Sequence, residues 1–265
     1  MKSGISDLEL AFILADIADN VTLKFWSPHG VAHKTKADGT VVTSADSDAE
    51  DAVLKALGTT RPDDGFLGEE IGSRPSRFGR RWIVDGIDGT NGFVTGLPNW
   101  GTLIALEQEG EIILGMISSP AQDKRWWAQR GSGAFTGTCD SKRSGRLIRV
   151  STNKHTTANR VATLPLFKNL APKAQLSVKD SLAGNPSLNL SRWSQQMKVA
   201  EGDLDACIWF CGDKWDHAAP SIIVQEAGGR FSDHLGGSRL DTRTGLYSNS
   251  LCHNQILDSL SKFQD

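Results

Sequence analysis

Arg81-Trp82-Ile83-Val84-Asp85-Gly86-Ile87-Asp88-Gly89-Thr90 is the stretch on which the reading of this chain turns. An apolar run of strand-forming residues, Trp82-Ile83-Val84, ends in two aspartates separated by Gly86-Ile87. Gly89 lets backbone come close to a ligand, and N–H groups of a following helical turn can hold an anion. Upstream, Phe66-Leu67-Gly68 reads as a second short buried strand and runs into Glu69-Glu70. Far downstream, Trp215-Asp216-His217 opens a helix. Acids just past strand ends and at helix starts converge on one edge of a sheet, where open α/β sheets place their sites. Crowded carboxylates repel one another unless cations intervene. Oxygen ligands without imidazole or thiolate suit magnesium or manganese, and carboxylate, water and phosphate together are the usual magnesium arrangement. Any one of these acids alone is as readily a solvated helix cap or turn residue. The set, beside a glycine-rich anion cradle, points to metal and phosphate chemistry.

Around this centre the elements follow from period and punctuation. Ser6 with Glu9 is a capping box ahead of Leu8, Phe12, Ala15, Ala18 and Val21, which share one helical face. His33 to Thr40 is polar, with turn chemistry. Thr43-Ser44-Ala45-Asp46 repeats the cap pattern and starts a helix through Ala52, Val53, Leu54 and Leu57, which Gly58 stops; Asp46 then lies in its first turn. Thr102–Leu106 and Ile112–Ile117 read as strands of a hairpin turning at Gln108-Glu109-Gly110-Glu111. Arg125–Ala128, Leu147–Val150 and Ala206–Phe210 are further strands. Helices are expected from about Leu190 to Ala200, and from Asp216 to Ala227 with Pro220 in the first turn, the one place a helix takes proline without loss. Helices and strands come in blocks, which favours a layered α+β arrangement over a barrel. Positions 1–265 are read as one domain, with subdomains at 1–150 and 151–265.

The chain has 265 residues, enough for a full hydrophobic core. With 29 basic and 31 acidic side chains the net charge is −2, which argues against broad nucleic-acid binding. No apolar run reaches the roughly 20 residues of a membrane helix, and the N-terminal stretch carries acids with no cleavage-type site, so a cytoplasmic protein is expected. Cys139, Cys207, Cys211 and Cys252 form no CxxC pair, and no histidine stands at zinc-site spacing from Cys207 and Cys211; they read as buried free thiols. The histidines make no HExxH pattern, and no Gly-x-Ser-x-Gly elbow follows a strand, which disfavours zinc and serine hydrolases. Eight tryptophans against one tyrosine suggests that some indoles line a ligand site.

Gly68-Glu69-Glu70, Trp82 through Thr90, Trp215-Asp216-His217-Ala218-Ala219 and Glu226-Ala227-Gly228-Gly229, in this order, resemble the inositol monophosphatase superfamily of metal-dependent phosphatases, most of all its histidinol-phosphatase branch. The likeness runs over nearly the whole chain. It implies an alternating α/β/α/β/α sandwich and a cluster of two or three magnesium ions, with manganese as a substitute. By matching positions, Glu69, Asp85, the Ile87 carbonyl, Asp88 and Asp216 would ligate metal, and Asp46 would support a further, weaker ion or its water. Gly89 and Thr90 amides would hold phosphate, and Thr90 with Glu69 would orient the attacking water. Asn91, Ser191, Arg192, Trp209 and Asp216 would face substrate. Lys36 lies in what the family uses as a mobile loop.

Three departures from the family pattern stand out. Gly86 replaces a proline and Gly92 an asparagine, both of which are expected to loosen the site. Trp209 stands seven residues before Asp216, where the family commonly has a glutamate that contacts a polar group of the substrate; Trp209 is either core or a flat wall of the pocket. Ser191-Arg192-Trp193 replaces a stretch of small residues. The function expected is a magnesium-dependent phosphatase for a small phosphate monoester, with histidinol phosphate the leading substrate. The alternatives are a nucleoside phosphate or sugar phosphate of a specialised pathway, or a catalytically weak binding homologue. No nucleic-acid or membrane partner is expected. A homodimer with Ile112–Ile117 as its seam is a candidate assembly.

Overall fold

The computed structural model describes residues 4–37, 39, 41–141, 144–154, 161–163 and 193–261. Helix α1 (Asp7–Phe25) starts at its capping box: Glu9 N–H donates to the Ser6 hydroxyl at 3.2 Å, and Ser6 N–H donates to the Glu9 carboxylate at 2.8 Å. Helix α2 (Ser44–Thr60) starts by the same device, with Thr43 and Asp46. Between them the polar stretch read as a turn carries a short antiparallel ribbon, β1 (Lys34–Thr35) with β2 (Val41–Val42), too brief to show a period in the sequence.

Eight strands build the main sheet: β3 (Gly65–Gly68), β4 (Ser73–Arg74), β5 (Arg80–Asp88), β6 (Gly101–Gln108), β7 (Glu111–Ser119), β8 (Lys124–Gln129), β9 (Ala134–Gly137) and β10 (Arg146–Ile148). Their order is β10-β9-β8-β7-β6-β5-β3-β4, and only β3 and β5 run parallel. The hairpin turn is Glu109-Gly110; both have positive φ, 53° and 84°, as the tight two-residue turn demands. After β5 comes one turn of helix, α3 (Thr90–Val94). A smaller sheet holds β11 (Val161–Thr163), β12 (Ala206–Trp209), β13 (Arg230–Ser232) and β14 (Gly245–Ser248) in the order β11-β12-β14-β13. Helices α4 (Gln195–Ala200) and α5 (Lys214–Glu226) lie between the sheets, and α6 (His253–Ser261) covers the far face of the smaller one.

The layers follow from strand alternation. Trp82, Val84, Ile104 and Leu106 face α1 and α2, where Leu10, Leu14, Val53 and Leu57 meet them. Ile83, Leu103 and Ala105, one residue out of step, face Met197, Ile222, Ile223, Phe231 and Tyr247 on the other side. Ile208 and Leu246 turn outward to Ile256 and Leu260 of α6. The result is the expected α/β/α/β/α sandwich. Because both faces of the main sheet are covered, its strands read as unbroken apolar runs. Leu114, Met116 and Ile117 of β7 are wholly interior, so the strand taken as a dimer seam is covered by the chain's own helices. Among the described residues no helix is long and apolar enough to cross a membrane.

Several boundaries differ from expectation. Helix α2 runs past Gly58, its expected stop, to Thr60 and is capped at Arg61. The strand at Leu147–Val150 is Arg146–Ile148. The helix expected from Leu190 is described only over Gln195–Ala200, with Ser191 and Arg192 outside the described residues. Helix α5 begins at Lys214, two residues early, because Asp213 serves as its cap; Pro220 therefore lies in the helix interior rather than its first turn. Its ring withholds the N–H that the Asp216 carbonyl would otherwise receive.

A buried charge pair ties α1 to the sheet. The Arg125 guanidinium, 2% exposed, donates to Asp19 at 2.5 Å, to the Ser118 hydroxyl at 2.9 Å and to the exposed carboxylate of Asp16 at 2.7 Å. Removing Asp19 leaves the buried guanidinium with only the exposed Asp16 as a counter-charge, which offsets part of the cost of breaking the buried pair. Asp19→Ala is expected to lower stability by about 3–5 kcal/mol in urea unfolding, and Asp19→Ala with Arg125→Met to recover most of that loss; equal losses in the two variants would contradict this reading.

Candidate active site

The site is assembled by strand pairing. Parallel pairing sets Gly68 of β3 opposite Val84 of β5, so Glu69, just past the end of β3, stands beside Asp85 on β5. Along β5 the register with β6 then slips: Asp85 faces Leu103 but Asp88 faces Gly101, three steps against two. One extra residue is a β-bulge, and it brings two residues that a regular strand would point to opposite faces onto the same face. The Asp85 carboxylate caps the bulge by accepting the Ile87 N–H at 2.9 Å. From across the core the first turn of α5 adds Asp216, whose carboxylate accepts the Asp213 N–H at 2.5 Å. Asp85, Asp88 and Asp216 each present a carboxylate oxygen within 4.8 Å of the others. Two oxygens bound to one hard cation stand at most about twice the metal–oxygen distance of ~2.1–2.4 Å apart, so this all-oxygen set fits a divalent ion such as magnesium or manganese.

The charges are held under strain. Asp85 is 2% exposed; burial first, then the negative charges of Glu69, Asp88 and Asp216, push its carboxyl well above the usual carboxylate range. Burial and Asp88 do the same to Asp216, and burial and Glu69 raise Asp88 to about 7. Asp88 and Asp216 keep some surface open to solvent, in a recess ringed by protein. Burial also raises Glu69, against the pull of Lys36. The Lys36 ammonium bonds Glu69 at 3.2 Å and also Glu70, so it supplies a positive charge at the rim of the acidic set. Burial works against the charged lysine, but the two glutamates outweigh it and raise its pKa.

The other expected residues fall as follows. The Asp46 carboxylate accepts from Thr43 N–H at 2.9 Å and from the Thr43 hydroxyl at 2.7 Å, so its recorded bonds serve the helix cap. The Ile87 carbonyl accepts the Thr90 hydroxyl at 3.0 Å. Gly89 caps α3 with φ 83°, and Asn91 is exposed. The two glycines expected to loosen the site stand where a side chain would not fit. A Cβ at Gly86 would stand 2.5 Å from the Asp46 carbonyl oxygen, and one at Gly92 the same distance from that of Asn99. Each glycine allows a close backbone approach. Trp209 is 6% exposed, packed in the core with its ring edge-on to His217 at 6.3 Å. His217 is committed too: Nε2 faces the Cys211 carbonyl at 3.1 Å and Nδ1 the Tyr247 hydroxyl at 2.7 Å. A carbonyl only accepts, so Nε2 carries the proton and Tyr247 donates to Nδ1. Burial pushes His217 down to about 4, which keeps it neutral.

Glu50 is the residue that sequence reasoning passed over. It is fully buried, and its carboxylate accepts the N–H groups of Glu69, Glu70 and Ile71 at 3.0 Å each. A Cβ at Gly68 would stand 2.2 Å from its Oε2, which is why a glycine precedes the glutamate pair. The available signal was its place one helical turn after Asp46, on the same face of α2. Glu50→Gln turns an amide NH2 toward backbone donors. It is expected to lower stability by about 1–3 kcal/mol and to weaken divalent-ion binding ~10-fold or more, read by urea unfolding and calorimetry. Unchanged ion affinity would contradict the positioning role.

The family-level comparisons agree with this geometry. The sequence profile of the inositol monophosphatase family matches residues 7–264. The histidinol-phosphatase of Mycobacterium tuberculosis is 37% identical over 263 residues, covering 96% of this chain and 98% of that protein. A Streptomyces griseus protein named glucose-1-phosphate thymidylyltransferase is also 37% identical, covering 94% and 93%. Among solved structures, the extragenic suppressor protein suhB of Bartonella henselae superposes with a TM-score of 0.85 at 27% identity, covering 96% of this chain and 98% of that one. Matched over nearly its whole length by the family profile and by relatives of equal span, the chain belongs to the inositol monophosphatase family of phosphomonoesterases.

Proposed function

We propose that this phosphomonoesterase is magnesium-dependent and acts on a small phosphate monoester, with histidinol phosphate as the leading substrate. The observation that carries the proposal is the convergence of Asp85, Asp88 and Asp216 within 4.8 Å, beside Glu69. The full-length likeness to a histidinol-phosphatase supports the choice of substrate.

Phosphate monoesters are among the slowest compounds to hydrolyse unaided, and enzymes accelerate the reaction by up to ~10²¹. A single general base contributes about 10²–10⁴. Two or three bound divalent ions would supply the larger part, by acidifying water, offsetting phosphoryl charge and stabilising the leaving alkoxide. Asp85, Asp88, Asp216 and Glu69 would hold them, with the Ile87 carbonyl as a neutral ligand and Asp46 at the edge. The chain's own contribution is position and proton handling. Because the Thr90 hydroxyl spends its proton on the Ile87 carbonyl, its oxygen is left to accept one from water. A water donating to that oxygen and to the Glu69 carboxylate would keep its lone pairs free for in-line attack. Gly89 and Thr90 amides would steady the phosphoryl oxygens, and Asn91, exposed one residue further on, would contact substrate. Ser191 and Arg192 are proposed substrate contacts from the sequence alone.

A second reading keeps the chemistry and changes the leaving group to a sugar or nucleoside phosphate. It is favoured by Trp209, which offers histidinol's ammonium no carboxylate, and by the likeness to a protein named for a sugar 1-phosphate. Phosphate release from histidinol phosphate, inositol 1-phosphate, glucose 1-phosphate and a nucleoside monophosphate separates the two. The expected outcome is the highest kcat/KM on histidinol phosphate, no turnover in EDTA, and a loss of ~10³-fold or more in Asp88→Asn with the fold retained. Turnover in EDTA, or near-normal rates in a folded Asp88→Asn protein, would overturn the metal-dependent mechanism.

A further inference from the structure

Trp193 lies where the cradle meets the acidic set. It occupies the turn before α4, is 6% exposed, and packs edge-on against Trp126 at 6.2 Å. Two glycines make room for its ring. A Cβ at Gly89 would stand 2.7 Å from Trp193 Cδ1, and a Cβ at Gly101 would stand 2.7 Å from Cζ2. Cδ1 adjoins Nε1 in the indole, so the N–H is delivered beside Gly89 and its neighbour Asp88. That N–H is buried and makes no hydrogen bond, as is true of Trp26, Trp100 and Trp209; Trp193 is set apart by the carboxylate of Asp88 beside it. It lies near enough to the Asp88 carboxylate to favour its ionised form, but outside bonding geometry.

A buried donor left unpaired is costly, and burying an indole with its N–H beside a carboxylate rather than in the apolar core calls for a reason. The carboxylate has more acceptor sites than one metal ion uses, and a ligating carboxylate works best when its remaining oxygen is fixed by a donor. We propose that Trp193 is a positioning residue of the metal centre: its indole N–H closes onto the Asp88 carboxylate when a divalent ion binds, and so decides which oxygen faces the ion. The small shift required is one of side-chain rotation within a fixed wall, since Gly89 and Gly101 already admit the ring. The inference rests on the metal centre proposed above, but not on the identity of the substrate.

The test uses the full chain labelled with ¹⁵N, with magnesium as the probe. The Trp193 indole resonance is identified by its loss in Trp193→Phe, a change that keeps an aromatic ring and removes the donor. The expected result is a downfield move of that resonance on adding magnesium, together with a ~10-fold rise in the magnesium dissociation constant of Trp193→Phe by calorimetry. Trp126→Phe, which alters the packing partner and removes its N–H bond to Glu201 but no group that faces the acids, is expected to leave that constant within about twofold, which separates positioning from general packing. A resonance that stays in place, or wild-type affinity in Trp193→Phe, would overturn the proposal while leaving the metal centre standing. A resonance that moves with inorganic phosphate but not with magnesium would overturn it as well, by assigning the donor to the anion. Should wild-type protein bind no magnesium at all, the metal centre falls and this inference with it.

Discussion

Buried like charges are the constraint on which this molecule is built. Three carboxylate oxygens within 4.8 Å of one another, one from a buried and two from partly buried aspartates, repel strongly unless protons or cations intervene. No arrangement of apolar packing demands such a cluster. The fold goes to some length to make it: a parallel strand pair in an otherwise antiparallel sheet, a bulge that turns Asp85 and Asp88 the same way, and a helix start that supplies Asp216. Gly68, Gly86 and Gly92 let backbones and the Glu50 carboxylate approach closely enough to fix the geometry. A set of acids this expensive in electrostatic terms is what binding a hard divalent ion requires.

Second in importance is the layer of groups that hold the acids. Glu50 collects three backbone amides of the loop that presents Glu69, and the Thr43–Asp46 capping box lays the start of α2 against Gly86. His217, neutral between Tyr247 and the Cys211 carbonyl, secures the residue next to Asp216. Lys36 bridges to Glu69 and Glu70 at the rim. Each of these is a polar group with partners in place, so the groups around the acids are fixed by their own bonds.

Much of this was legible in the sequence, and the reasons are local. Capping boxes are short-range patterns, so Ser6–Glu9 and Thr43–Asp46 located two helices correctly. Glu109-Gly110 carried its turn in its own chemistry. The placement of Asp85, Asp88 and Asp216 followed from acids after strand ends and at a helix start. What was not legible depends on contacts distant in sequence. The bulge is visible only against β6, the need for Gly86 only against the Asp46 carbonyl, and the role of Glu50 only once the loop after β3 folds over it. Pro220 was misplaced because the helix that holds it starts at Asp213's cap rather than at the acid that drew attention. The smaller sheet's later strands, β13 and β14, and helix α6 escaped notice because they are short and take their order from packing. The surplus of tryptophans did not say which indole stands near the acids: the structure puts Trp193 beside Asp88 and Gly89, and Trp209, the one weighed as a pocket wall, in the core.

The central claim is most directly tested by unfolding the protein across a range of pH, with and without magnesium. Asp88 titrates at about 7 in the folded chain, above the ~3.9 of an unfolded aspartate. Its contribution to stability is therefore present below pH ~4 and is lost as pH rises through about 7. Buried His217 and His253, both lowered to about 4, contribute in the opposite sense below pH ~6.5. The difference between the two curves removes what magnesium does not touch. The account predicts that magnesium raises Tm, and that the increment grows as pH climbs from 6 to 8 and the acids give up their protons to the ion. An increment that is absent, or flat with pH, would contradict it.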